Sequence, residues 1–202
     1  KFFGDLGKVA AKAGFGHLML MGFLAVGTQF ALMFLSVTFL IEAKHLGIFE
    51  ASVVLSLFFV GLFVGRFSCA WIALRVLNTR IILLLLVLQS LSLFVAWRNE
   101  GWAPALALVA SGLACSGIFP CFLALTGSLF FEVAGTALGL LASMNSLGGV
   151  CIVWISGMLS ERGGIGVGFL AMVLSSAAGL LLFLARYRAL VKEEQTFKPR
   201  VA

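Results

Sequence analysis

Four polar side chains stand inside otherwise apolar stretches of this sequence, and they mark where its chemistry has to lie. Arg66 follows fifteen uncharged residues, 51–65, and precedes eight more, 67–74. Gln29, Gln89 and Asn145 each fall near the centre of a long uncharged run. An amide at such a place can bond to a neighbouring helix, a contact worth about 0.6 to 2 kcal/mol. It can also offer a donor and an acceptor to a solute near the bilayer midplane. A guanidinium in an apolar helix either snorkels to interfacial water or packs as a charge against another helix in a switching contact. At a rise of about 1.5 Å per residue, Arg66 lies roughly 12 to 14 Å from Arg75, nearer one membrane face than the middle. The buried switching contact is the expectation carried forward for it.

The chemistry of enzymes is not laid out here. Both histidines, His17 and His45, precede every plausible nucleophilic serine, the reverse of the order in a rhomboid-type serine protease. The one aspartate, Asp5, cannot supply the pair that an intramembrane aspartyl enzyme needs. There is no HExxH, no phosphate-binding GxxxxGK[ST], and no His, Cys and carboxylate cluster at metal-ligand spacing. Cys69, Cys115, Cys121 and Cys151 sit in apolar runs without CxxC spacing and read as small packing residues. The expectation is therefore a protein that is not an enzyme and carries no metal and no cofactor.

The elements that position these residues follow from composition. The chain is 62% hydrophobic and 11% charged, against roughly 45 to 50% and 25% in a soluble domain. Such a chain is an all-α polytopic membrane protein, and at about 20 apolar residues per span its 202 residues hold six helices with short loops. The spans are expected at about 16–41, 48–74, 80–97, 103–127, 134–159 and 165–187, forming a transmembrane domain over 16–190. A basic lead-in, 1–15, and a polar tail, 191–202, flank it. Pro120 closes a small-residue stretch, 111–120, and should kink or end a turn. Gly135, Gly139 and Ser143 recur every four residues and give a smooth face for helix packing. Glu132 is the only charge between the fourth and fifth spans.

Six spans place both ends on one side, so orientation can be tested by counting basic residues. The side with the ends holds Lys1, Lys8, Lys12, Arg66, Arg75, Arg80, Arg186, Arg188, Lys192, Lys198 and Arg200; the other holds Lys44, Arg98 and Arg162. This asymmetry puts both termini in the cytoplasm, in a plasma or bacterial inner membrane. It also accounts for the net charge of +6 without any nucleic acid.

The stretch Gly65-Arg66-Phe67, with Trp71, Arg75 and Arg80, resembles the eighth helix of the major facilitator superfamily, and most of all its fucose:proton symporter family of sugar transporters. Phe119-Pro120 with Leu123-Ala124-Leu125 is similar to that family's tenth helix and Ala185-Arg186-Tyr187-Arg188 to the end of its twelfth, while residues 135–149 resemble the eleventh helix of facilitators generally. Leu74 stands where the facilitator loop signature has an aspartate, and Cys121 where a threonine is common.

The resemblance implies the carboxyl-terminal half of a transporter, two three-helix inverted repeats, moving a small polar solute with a sugar as the candidate. It implies a substrate site from Gln29, Ser116, Phe119 and, more peripherally, Asn145. It also implies a cytoplasmic gating cluster of Arg66, Arg75, Arg80 and Glu132. The proton-coupling carboxylate of such symporters belongs to the amino half. The partners implied are the lipid bilayer and a complementary six-helix half, whether an amino-terminal half, a second chain or a copy of itself. The rival reading is a structural or assembly subunit of a larger membrane complex that reuses this fold without transporting.

Overall fold

The computed structural model describes residues 14–197. The lead-in over 1–13 and the last five residues of the tail lie outside the described residues. Six long helices follow one another: α1 (Phe15–Glu42), α2 (Ile48–Ala73), α3 (Asn78–Arg98), α4 (Ala103–Leu129), α5 (Ala134–Gly163) and α6 (Ile165–Phe197). A short 3-10 turn, Phe131–Val133, leads into α5. All six are long and apolar enough to cross a membrane. In hydrocarbon every backbone N–H and C=O has to be satisfied within the protein, which a helix does internally. That requirement, more than any residue preference, makes these runs helical.

The joints are tight. A single residue, Gly164, separates α5 from α6; its N–H reaches the Ser160 carbonyl at 2.8 Å while its φ of 82° turns the chain, a conformation that costs glycine nothing. The sixth span does not give way to a loose tail. Helix α6 runs 33 residues without a break, about 50 Å, well beyond a hydrocarbon core of about 30 Å. Its final turns project past the membrane and pack back on the bundle.

The helices pair in a repeated pattern. α1 lies along α5 as α4 lies along α2, and α6 packs on α1 as α3 packs on α4. The sets α1–α3 and α4–α6 thus play interchangeable roles, the arrangement of an inverted repeat. Both close crossings dispense with Cβ atoms. Where α1 meets α5, a Cβ on Gly27 would stand 2.6 Å from the Gly148 carbonyl oxygen, and one on Gly148 would collide with the Phe23 backbone. Where α2 meets α4, a Cβ on Gly61 would lie 3.2 Å from the Leu113 nitrogen, and one on Gly112 would strike the Phe58 carbonyl.

Gly135, Gly139 and Ser143 take no part in this packing. All three are exposed, and a Cβ at either glycine would meet nothing within 4 Å. Helix α5 instead turns Leu141, Asn145, Gly148 and Ile152 inward, positions about 150° round the helix from the smooth stripe. Pro120 is also exposed, and α4 continues through it to Leu129.

Two apolar cores result. One, around Leu18, Met21, Leu86, Phe122, Leu125 and Phe183, fills the end of the bundle that holds Phe15 and Leu190. The other, around Leu32, Phe39, Phe58, Leu93, Leu108 and Phe169, fills the opposite end. Phe39 stacks on Phe169 with centroids 3.8 Å apart. Between the two cores lies a layer of polar side chains.

Candidate functional site

That layer is built from helix midpoints. The Thr28 hydroxyl donates to the Leu24 carbonyl at 2.7 Å and lies 3.1 Å from the Ser175 hydroxyl, joining α1 to α6. Ser90 and Ser176 approach to 2.8 Å, joining α3 to α6. Gln89 is fully buried; its amide nitrogen donates to the Ala25 carbonyl at 3.4 Å and lies 3.6 Å from the Cys115 sulfur. Gln89 therefore makes the interhelical bonds that one reading of its position anticipated. Its carbonyl oxygen is buried with no partner.

The residues expected to bind solute are divided between two helix pairs. Gln29 on α1 is buried, and its amide oxygen has no partner. Asn145 on α5 is 1% exposed, and neither its amide nitrogen nor its oxygen has a partner. It faces Gly22 of α1, where a Cβ would run into its oxygen. Asn145 thus lies in the α1–α5 crossing, and Gln29 stands seven residues, about 10 Å, along α1 from Gly22. Ser116 sits elsewhere, in the α2–α4 crossing. Its hydroxyl donates to the Leu113 carbonyl at 2.6 Å and lies 3.8 Å from the Cys69 sulfur, directly against Gly65. Phe119 is half-buried and packs on the core at the Phe15 and Leu190 end.

A buried amide in a low-dielectric layer loses its water bonds and needs replacements. The Gln29 oxygen and both polar atoms of the Asn145 amide have none among the described residues, which leaves two acceptor oxygens and one donor nitrogen available at mid-depth. Ser116 spends its proton on its own helix and is walled in by α2. As arranged here, the amide pair on α1 and α5 is the better candidate for contact with a solute.

The basic residues do not form a closed cluster within this chain. Arg66, Arg75, Arg80 and Glu132 are all exposed, and among the described residues the one ion pair is Arg186 with Glu193, at 3.9 Å. Arg66 was expected to be buried against another helix. Its helix turns Gly61, Gly65 and Cys69 toward α4, and Arg66, one residue past Gly65, is rotated off that face. It shares its flank with Phe63 and Phe67, whose rings meet edge to face with centroids 5.0 Å apart. Arg75 stands 5.7 Å over the Trp71 ring, a cation–π contact.

Two charges that the sequence did not single out turn out to hold the frame. The Lys44 ammonium, in the loop after α1, donates to the Trp97 and Asn99 carbonyls at 3.1 and 2.6 Å, at the end of α3. Burial lowers its pKa below the usual lysine range, and the Glu100 carboxylate pulls it partly back. At the other end of α3, Glu194 is buried against the first turn. Carboxylate at the N-terminus and ammonium at the C-terminus both complement the helix dipole. Among the described residues no three His, Cys, Asp or Glu side chains gather as metal ligands.

Comparison with known proteins agrees with this architecture. The fold is similar to that of FucP, a Major Facilitator Superfamily transporter seen in its outward conformation, with a TM-score of 0.76 at 20% identity, over 92% of this chain and 45% of that one. A variant of the Escherichia coli fucose:proton symporter FucP gives a TM-score of 0.79 at 20% identity, over 92% and 46% of the two chains. A peptide transporter, POT, in complex with alafosfalin gives 0.79 at 16% identity, over 92% and 40%. The chain thus spans less than half the length of the solved structures it matches. No curated protein matches it. The family model for the Major Facilitator Superfamily matches residues 18–202. On that match and this fold, the chain belongs to the Major Facilitator Superfamily.

Proposed function

We propose that this chain is the carboxyl-terminal six-helix half of a secondary transporter that moves a small polar solute, with a sugar as the leading candidate, by alternating access against a second six-helix half. One observation carries the reading: the Gln29 amide oxygen and both polar atoms of the Asn145 amide, buried at mid-depth, have no partners among the described residues. Hydroxyl-rich solutes supply both the donors and the acceptors that such amides lack. Resemblance to a fucose:proton symporter adds the choice of sugar.

The second half covers what this half leaves open. Arg66, Arg75, Arg80 and Glu132 are exposed here, and in this reading they close the cytoplasmic gate against acids and bases of that half. Both termini are cytoplasmic. No acid of this chain stands at mid-membrane, so proton coupling belongs to the complementary half. The protein is a carrier, not an enzyme.

Uptake of radiolabelled L-fucose by cells expressing the full-length protein tests the site. Gln29→Ala should lower uptake with membrane expression intact, and unchanged uptake would remove Gln29 from the site. The absence of a membrane-embedded acid also suits a non-transporting assembly subunit. Subunit composition after gentle solubilisation separates the two: a single longer chain or an equimolar six-span partner supports the transporter, and an unrelated stoichiometric complex supports the subunit.

A further inference from the structure

The first turn of α3 has an unusual hydrogen-bond account. A helix begins with four N–H groups that have no intrahelical partner, and these must be satisfied from outside or by tightened turns. Here the N–H groups of Arg80 and Ile81 reach the Leu77 carbonyl at 3.0 and 3.2 Å. Asn78 and Thr79 have no acceptor of that kind, and the residue before them, Leu77, has no side chain able to cap them. Glu194 takes both: its two carboxylate oxygens accept from the Asn78 N–H at 2.7 Å and the Thr79 N–H at 2.9 Å. The residue is 1% exposed, while its neighbour Glu193 is turned outward to Arg186. The acid therefore comes from the far end of the chain, on the part of α6 that projects past the membrane. It is attached to the turn that links α2 to α3, between Arg75 and Arg80.

We propose that Glu194 is a positioning residue: it clasps the α2–α3 turn to α6 so that Arg75 and Arg80 are held where the complementary half meets them. This rests on the reading of the chain as half of a transporter. A carboxylate with two charge-assisted bonds to adjacent N–H groups fixes both the start of α3 and its direction. Arg80 lies on that first turn, and Arg75 lies three residues before it. Freed from the clasp, the turn would keep its helices but lose its fixed orientation.

The test uses the full-length protein in detergent, as wild type, Glu194→Ala and Glu194→Gln. Amide hydrogen exchange is read over residues 74–81, and reaction of Arg75 and Arg80 with phenylglyoxal is read by mass spectrometry. Loss of the carboxylate should speed exchange at Asn78 and Thr79 about 10- to 100-fold, with the other spans unchanged. Glutamine keeps one acceptor oxygen and should fall between. Arg75 and Arg80, exposed in this half and covered by the complementary half in the proposed transporter, should become more reactive in Glu194→Ala and be partly protected in Glu194→Gln. Unchanged exchange overturns the clasp. Faster exchange with unaltered arginine reactivity overturns the positioning role and leaves only a helix cap. Absence of L-fucose uptake by the wild type counts against the sugar reading alone, because neither exchange nor modification depends on the solute.

Discussion

Replacing Gly148 by alanine tests the packing argument where it is most exposed to failure. The added carbon would press on the Phe23 carbonyl, and because that neighbour is backbone no side chain can swing away. Restoring an ordinary contact requires α1 and α5 to separate by about 1 Å, an overpacking that costs about 1–3 kcal/mol. The exchange also gains about 1 kcal/mol of helix propensity, so the net loss is up to about 2 kcal/mol. For a domain near 200 residues that corresponds to a fall of up to about 8 °C in the unfolding midpoint. Gly139→Ala, on the same helix but with nothing within 4 Å, is the control; within this half it should leave the midpoint unchanged or raise it. Thermal unfolding of the purified protein, followed by tryptophan emission, measures both. Equal midpoints for the two variants would refute the crossing as described. A fall in Gly139→Ala instead would show that the complementary half packs on the Gly135–Gly139–Ser143 face.

Other substitutions separate stability from transport. Asn145→Leu removes an amide whose two polar atoms are both unpartnered, each a loss of about 1–3 kcal/mol in a buried site; the unfolding midpoint should rise while L-fucose uptake falls, and a variant that transports normally clears Asn145 of any role. Arg66→Ala should leave stability within about 0.5 kcal/mol, as expected for an exposed residue, but slow the interconversion of inward- and outward-open states. Normal cycling, read by inter-half distance measurements, would leave only snorkelling to explain the arginine. Lys44→Met removes two bonds at the end of α3; discounted for partial exposure, the loss should be about 1 kcal/mol, and an unchanged midpoint would show that those carbonyls find water instead.

How much could be read in advance depended on whether the relevant geometry was local. The depths of Gln29, Gln89 and Asn145 follow from counting along uncharged runs, and all three lie in the polar layer between the apolar cores. The direction that a side chain faces is less local. A four-residue spacing of small residues marks a smooth face but not what it faces: within this half the Gly135, Gly139 and Ser143 face stays open while Leu141, Asn145, Gly148 and Ile152 point inward. A signal for Arg66 was present. Gly61, Gly65 and Cys69 already share one face, and the buried residues of α2 lie along it, which turns Arg66 to the flank. Glu194 could not have been found this way, because its partners are backbone N–H groups 116 and 115 residues earlier. Nothing in the spacing of side chains records a backbone acceptor or donor so far away.

The distribution of close and open faces bears on how such a half would move. At both glycine crossings, α1 on α5 and α2 on α4, backbone meets backbone, and contacts of that kind tolerate no sliding without opening a gap. Helix α3 is held at one end by Lys44 and at the other by Glu194, each from a different part of the chain. The six helices are therefore joined at mid-depth by glycine contacts and at both membrane faces by charges, which favours motion as a single body over motion of one helix past another. The outer faces of α2 and α5 present Phe63, Phe67 and Trp71, and Leu147, Val150 and Trp154, with no helix among the described residues over them. If the half rocks as a unit, these two helices supply the surfaces that slide, and the orphaned amides behind α5 stay at a fixed depth while access to them alternates.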